Sequence, residues 1–340
     1  MANAGTLRQG TAGQREEPAW AGLVQPIVGG LVLLVALLGL IGSAIHDPKP
    51  HDIPVGLVGP PPAVDQLTAG FEKAAPGAFH FSVYDSEEAA RAALDSRAVD
   101  GVLVLGVGGP RLILAGGAGD GSTGVITAVF SNALKGPGPP LTVETVHPFA
   151  AGDAHGLVLF FAVVAIIIST LVAAALLSTS GGRYSLGARL AVLAAFGGLA
   201  GLAAMATATW IAGDYGPGFW AAAGLLALGS IAIGTVVAGG GRLLGRAGVG
   251  LAALVVVLLD LVTSGGPLGS RLLPDFYRWL APGMPAGQLY RGLQNVLYFD
   301  GADLATPLTI LGAWLLGGIV LLLVAEVVQR RRQPAPPVAA

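Results

Sequence analysis

Residues 23–45 read LVQPIVGGLVLLVALLGLIGSAI, a run with no charged side chain. Hydrocarbon offers a chain no hydrogen-bond partners, so a stretch this long and this apolar crosses a bilayer as a closed helix. Behind it lies a water-soluble stretch, residues 46–155. Five more apolar runs follow at 156–177, 190–212, 219–238, 247–263 and 308–328. The pattern predicts a polytopic α-helical membrane protein of six transmembrane helices, with a small α/β extracytoplasmic domain between the first and second. The segments are 1–22 (cytoplasmic N-terminus), 23–45 (first span), 46–155 (outer domain), 156–328 (five-helix membrane domain with an outer loop at 264–304) and 329–340 (cytoplasmic tail). The apolar core of the first run exceeds the roughly 7–15 residues of a signal-peptide core, which favours an uncleaved anchor.

Composition agrees with this class. The chain is 54% hydrophobic and 11% charged, against about 25% charged in an ordinary soluble domain. A net charge of -2 and the absence of a basic stripe exclude nucleic acid as a partner. The absence of cysteine excludes disulfides, thiolate metal sites and thiol nucleophiles.

Basic residues in short loops set orientation. With the N-terminus in the cytoplasm, Arg8, Arg15, Arg183, Arg189, Arg242, Arg246 and Arg330 to Arg332 all fall inside. Arg271, Arg278 and Arg291 in the last outer loop run against this bias. Both termini are expected inside, which puts residues 47–153 outside.

Within the outer domain, residues 53–58 alternate and predict a strand, 79–84 and 141–146 read as further strands, and the apolar runs 102–105 and 111–115 flank a Gly-rich turn and predict a hairpin. Helices fit between them, one opened by Pro61 or Pro62 and one capped by Asp85, with Glu88 completing a capping box. The order is βαβαββαβ. The Gly106-Val107-Gly108-Gly109 run precedes Pro110 and a strand rather than a helix, so it is not a phosphate loop.

Four of the five histidines, His46, His51, His147 and His155, flank the domain with Asp47, Asp52 and Asp153. They could hold zinc if the two neck segments meet, or form a solvated polar collar. Asp260 is the one acid well inside a span. It could line a substrate path, in which case Asp260→Asn lowers transport, or lie near the outer headgroups. Gly197 and Gly201 form a small-xxx-small pair suited to close helix packing. Trp210, Trp220, Trp279 and Trp314 fall near span ends, as aromatic anchors do. In the last outer loop, Pro285 can start an amphipathic helix with Leu289, Leu293 and Val296 on one face, lying along or dipping into the outer interface.

That loop carries a distinctive series: Ser264-Gly265-Gly266-Pro267, Leu273-Pro274 with aromatics, Met284-Pro285, then Arg291-Gly292-Leu293 before the final span. With an outer domain opening on Ile53-Pro54-Val55-Gly56-Leu57-Val58, the chain resembles the YhgE/Pip group of ABC type-2 permeases over nearly its whole length. Its outer domain is far shorter than in the long members. The resemblance implies an exporter permease, working as a homodimer, that moves a lipid-like or amphipathic substrate outward across a bacterial plasma membrane. It further implies a separate ATP-hydrolysing subunit, and no Gly-x-x-x-x-Gly-Lys-[Ser/Thr] occurs here. That subunit would grip residues 179–188, with Arg183 and Tyr184, and 239–246, with Arg242 and Arg246. The alternative is a membrane-anchored scaffold or receptor whose outer domain binds a partner. An enzyme is not expected, because no nucleophile–base or metal constellation is legible, and no cofactor is implied.

Overall fold

The computed structural model describes residues 19–136, 138–180 and 184–332. Arg8, Arg15, Arg183 and the ends of both terminal segments lie outside the described residues. The chain divides into two compact units, Met1–Ser43 and Ala44–Ala340. The first is supplied by helix α1, Ala19–Ile45. Within it, Gly30–Ile45 is an apolar helical stretch.

The second unit opens with an α/β head. Its elements are β1 (Ile53–Val58), α2 (Pro61–Ala74), β2 (Phe79–Val83), α3 (Glu87–Asp95), β3 (Gly101–Gly106), β4 (Gly109–Ala115), α4 (Asp120–Ala133) and β5 (Thr142–Val146). They form one sheet in the order β2-β1-β3-β4-β5. Only β3 and β4 are antiparallel, closed by a tight turn that pairs Gly106 with Gly109. The parallel pairs need long crossovers, which α2, α3 and α4 provide. The cap of α3 falls one residue later than Asp85. Ser86 takes the extended backbone, and its Oγ accepts the Ala89 N–H at 3.1 Å. No Asp85–Glu88 box forms, and Glu87 instead pairs with Arg91 and Arg111.

Side-chain alternation splits the head into two layers. Val55, Leu57, Leu103, Leu112 and Leu114 face α2 and α4, together with Phe71, Phe79, Ile126 and Phe130. Val102, Ile113 and Ala115 face α3, with Ala90, Leu94 and Val99. Two residues come from far along the chain. Leu272 completes the first layer and Phe299 the second, both buried. The loop before the last long helix is therefore built into both faces of the sheet.

The remaining elements are α5 (Leu157–Thr179), α6 (Leu186–Ala212), α7 (Phe219–Leu244), α8 (Arg246–Ala253), α9 (Asp260–Thr263), α10 (Asp275–Leu280), α11 (Pro285–Tyr298) and α12 (Ala305–Arg332). A π-helical turn, Leu254–Leu259, joins α8 to α9. Five helical segments are long and apolar enough to cross a membrane: Leu157–Thr179, Leu186–Ala212, Gly216–Leu244, Arg246–Leu268 and Ala305–Arg331. This is a polytopic helical membrane protein carrying a small sheet. Helix α7 is central, packing against α5, α6, α8, α11 and α12. Small residues allow the approach. A Cβ at Gly201 of α6 would lie 2.8 Å from the Ala227 nitrogen of α7, and one at Gly197 would lie 2.7 Å from Ile231. A buried hydrogen bond of 2.7 Å joins Thr170 of α5 to Ser230 of α7.

Three expectations change. The segment 239–246 is not a loop: α7 runs to Leu244, and only Gly245, at φ 63°, separates it from α8. Its glycines serve packing, since a Cβ at Gly239 would lie 2.7 Å from Leu321. Helix α11 is not a surface helix. It packs among α5, α7 and α12 with Gln288, Gln294 and Asn295 buried as well as Leu289 and Leu293. Two of these polar residues donate to carbonyls, Gln288 to Pro282 (3.1 Å) and Asn295 to Asp303 (3.0 Å). Trp314 lies inside α12, where its indole N–H donates to Gly283 at 2.8 Å, whereas Trp210, Trp220 and Trp279 are exposed.

Candidate functional site

A polar cavity of about 390 Å3 lies between the head and the loop region of the bundle. Its head wall includes His51, Asp52, Arg97 and Asp100; its bundle wall includes Arg271, Arg278, Gln288, Arg291 and Gln294.

Arg97 follows the end of α3 in the left-handed conformation, φ 65°, its N–H bonded to Leu94 at 3.0 Å. That position favours glycine, so a long charged side chain there carries a conformational cost. Its guanidinium stacks on Phe299, 4.5 Å from the ring centroid. Nε and Nη1 are sealed from solvent and have no hydrogen-bond partner among the described residues. Burial pulls its pKa below the usual arginine value, and the charge of Asp100 opposes that. Each buried donor left without an acceptor costs about 1–3 kcal/mol.

The other three arginines have acceptors in the loop or at Asp52 of the head. Arg271 donates to the Asp52 carbonyl, and its own carbonyl accepts the His51 N–H at 3.1 Å. Arg278 pairs with Asp275 at 2.7 Å and with Asp52 at 3.8 Å. Arg291 pairs with Asp303. The Nε atoms of Arg278 and Arg291 are also sealed and unpartnered. These are the three arginines that run against the loop charge bias, a departure that could have pointed to this site. Arg97 and the two glutamines had no such signal.

The glycines and prolines of the loop shape this wall. Gly265 and Gly266 turn the chain out of α9 with φ of 67° and 52°. Pro274 precedes α10 and Pro285 opens α11. Asp260 is fully buried and does not line the cavity, although Thr263 and Ser264, one turn on, do. Its Oδ1 accepts the Ala286 N–H at 2.8 Å, so it caps α11 from a neighbouring helix. Its Oδ2 has no partner among the described residues. Asp153 plays the same part for α5, accepting from Val158 at 2.8 Å and Leu159 at 3.2 Å. The Tyr215 hydroxyl donates to it at 3.1 Å. Burial, and next the Asp153 charge, push the Tyr215 pKa up, so it stays a donor.

Three of the four neck histidines take separate partners. His147 pairs with Asp95 at 2.7 Å, His155 with Asp120 at 3.2 Å, and His51 faces the Arg271 carbonyl at 3.3 Å. No group of three His, Asp or Glu suited to a metal forms among the described residues.

A second polar cavity, about 360 Å3, sits at the other end of the bundle. Tyr184, Arg189, Arg242, Glu326, Gln329 and Arg330 line it, and Arg246 does not. Arg189 is buried and donates to the Leu177 carbonyl at 2.9 Å, closing the end of α5. Arg242 and Gln329 bond each other, tying α7 to α12.

No family model, no curated protein and no solved structure matches the chain.

Proposed function

We propose that the chain is the permease subunit of an exporter that moves a lipid-like or amphipathic molecule outward, driven by a separate ATP-binding subunit. The observation that carries this reading is the placement of two polar cavities at opposite ends of an apolar bundle wound on α7, one of them roofed by the head. In this reading α1 is a sixth span, both termini are cytoplasmic, and the head stands outside a bacterial plasma membrane. Two copies form the unit. The upper cavity receives cargo, and Asp260 beneath it holds α11 in register. The lower cavity, with Tyr184 and Arg242, faces the ATPase, and the sequence segments that carry Arg183 and Arg246 belong to the same coupling region. The missing phosphate-loop motif supports a motor on another chain.

The test is affinity purification of the tagged full chain from native membranes, with ATP hydrolysis as readout. The expected result is an ATP-binding protein in near-stoichiometric amount, lost on Arg242→Glu. Recovery of no such protein, with export unaltered in a deletion strain, overturns the reading in favour of a membrane-anchored scaffold.

A further inference from the structure

We propose that the cavity between head and bundle binds a phosphate anion, carried on a lipid headgroup or free in solution, with Arg97 as its central ligand. This deepens the permease reading by naming the chemistry of the cargo, and it rests on that reading only for the step of transport.

Four arginines against two acids, Asp52 and Asp100, line the cavity. Two of the arginines are already neutralised by carboxylates, Arg278 and Arg291. Arg97 and Arg271 make no ion pair within 4 Å among the described residues, so their charge is available to an incoming anion. Guanidinium N–H groups in a fixed fork match phosphate oxygens two at a time. Arg97 is pre-set for this role, since its plane is fixed on Phe299 and its Nε and Nη1 lack acceptors. Gln294 adds an amide group to the same wall. A pocket of about 390 Å3 is the size of a small-ligand site. A protein that only stabilised its own fold would gain by giving these donors acceptors. An anion supplies acceptors to several of them at once.

The experiment uses the purified full chain in nanodiscs. One arm contains phosphatidylcholine alone, one contains phosphatidylcholine with phosphatidylglycerol, and one contains phosphatidylcholine with added inorganic phosphate. Bound phosphate is read by native mass spectrometry and phosphorus NMR. Arg97→Gln and Arg271→Gln are compared with wild type and with Lys135→Gln, a head cation outside the cavity. The expected result is retention of phosphatidylglycerol, weakened at least tenfold by either cavity variant and unchanged by Lys135→Gln. Retention of inorganic phosphate in the second place, with the same loss in both variants, supports the site and assigns it to the soluble anion. Equal binding by wild type and both cavity variants, or binding of neither probe by wild type, overturns the proposal. A thermal melt of each variant separates loss of the site from loss of the fold. Because no ATPase is present, a negative result here leaves the permease reading to its own test.

Discussion

Leu272→Ala should unfold the head from a distance. Leu272 is 3% exposed and sits among Phe71, Ile126 and Phe130, although it follows the last strand by more than a hundred residues. Truncating a leucine this buried removes its transfer free energy and leaves a void, at a combined cost of about 2–5 kcal/mol. Taking about 3 kcal/mol, the open population of the sheet rises roughly a hundredfold, since each 1.4 kcal/mol is tenfold. Amide hydrogen exchange of β1 and β3 in the intact protein reads that population directly. Leu112→Ala, in the same layer but inside a strand, sets the scale. The expected outcome is accelerated exchange of comparable size in both variants. If Leu272→Ala changes exchange of β1 and β3 by less than about threefold while Leu112→Ala changes it a hundredfold, the loop is not part of the head's core and the reasoning fails.

Two further outcomes follow from packing and charge. Gly201→Leu forces α6 off α7, where a Cβ already falls 2.8 Å from Ala227, while at Gly198 a Cβ meets nothing within 4 Å. Overpacking costs about 1–3 kcal/mol, so the first variant should lower the melting temperature in detergent and Gly198→Leu should leave it unchanged. Arg91 joins α3 to β5 through Glu144 at 2.6 Å and holds the Glu144 pKa below its ordinary 4.5. A depressed folded pKa contributes stability above the unfolded value and loses it as pH falls through the folded one. Acidification from pH 5 to below 4 should therefore speed exchange of β5 in wild type more than in Glu144→Gln. Because both side chains are partly exposed, the expected difference is small, of the order seen for surface pairs.

Much of this architecture could be read before any coordinates. Long uncharged runs mark the crossing helices because a bilayer tolerates little else. The short apolar runs 102–105 and 111–115 mark the hairpin because a Gly-rich turn separates them. The misses share a cause. Gly239 to Gly241 look like a loop by composition, yet the glycines are there so that α12 and α5 can come close. Gln288 and Asn295 look like a wet face, yet carbonyls from other segments meet them. Arg97 is unremarkable in sequence, and its surroundings are assembled by contacts with residues near 271 and 291. Local pattern reports on local partners, and this cavity is made almost wholly of distant ones.

The lodging of Leu272 and Phe299 on opposite sides of the sheet also sets a schedule for biosynthesis. A ribosome finishes β5 about 150 residues before it reaches Phe299, which at about 5–20 residues per second is roughly 8–30 s. Throughout that interval the nascent head has every strand but a gap in each layer. Maturation of the head thus waits on insertion of nearly the entire polypeptide, and a truncated product betrays itself by an unfinished, protease-sensitive head.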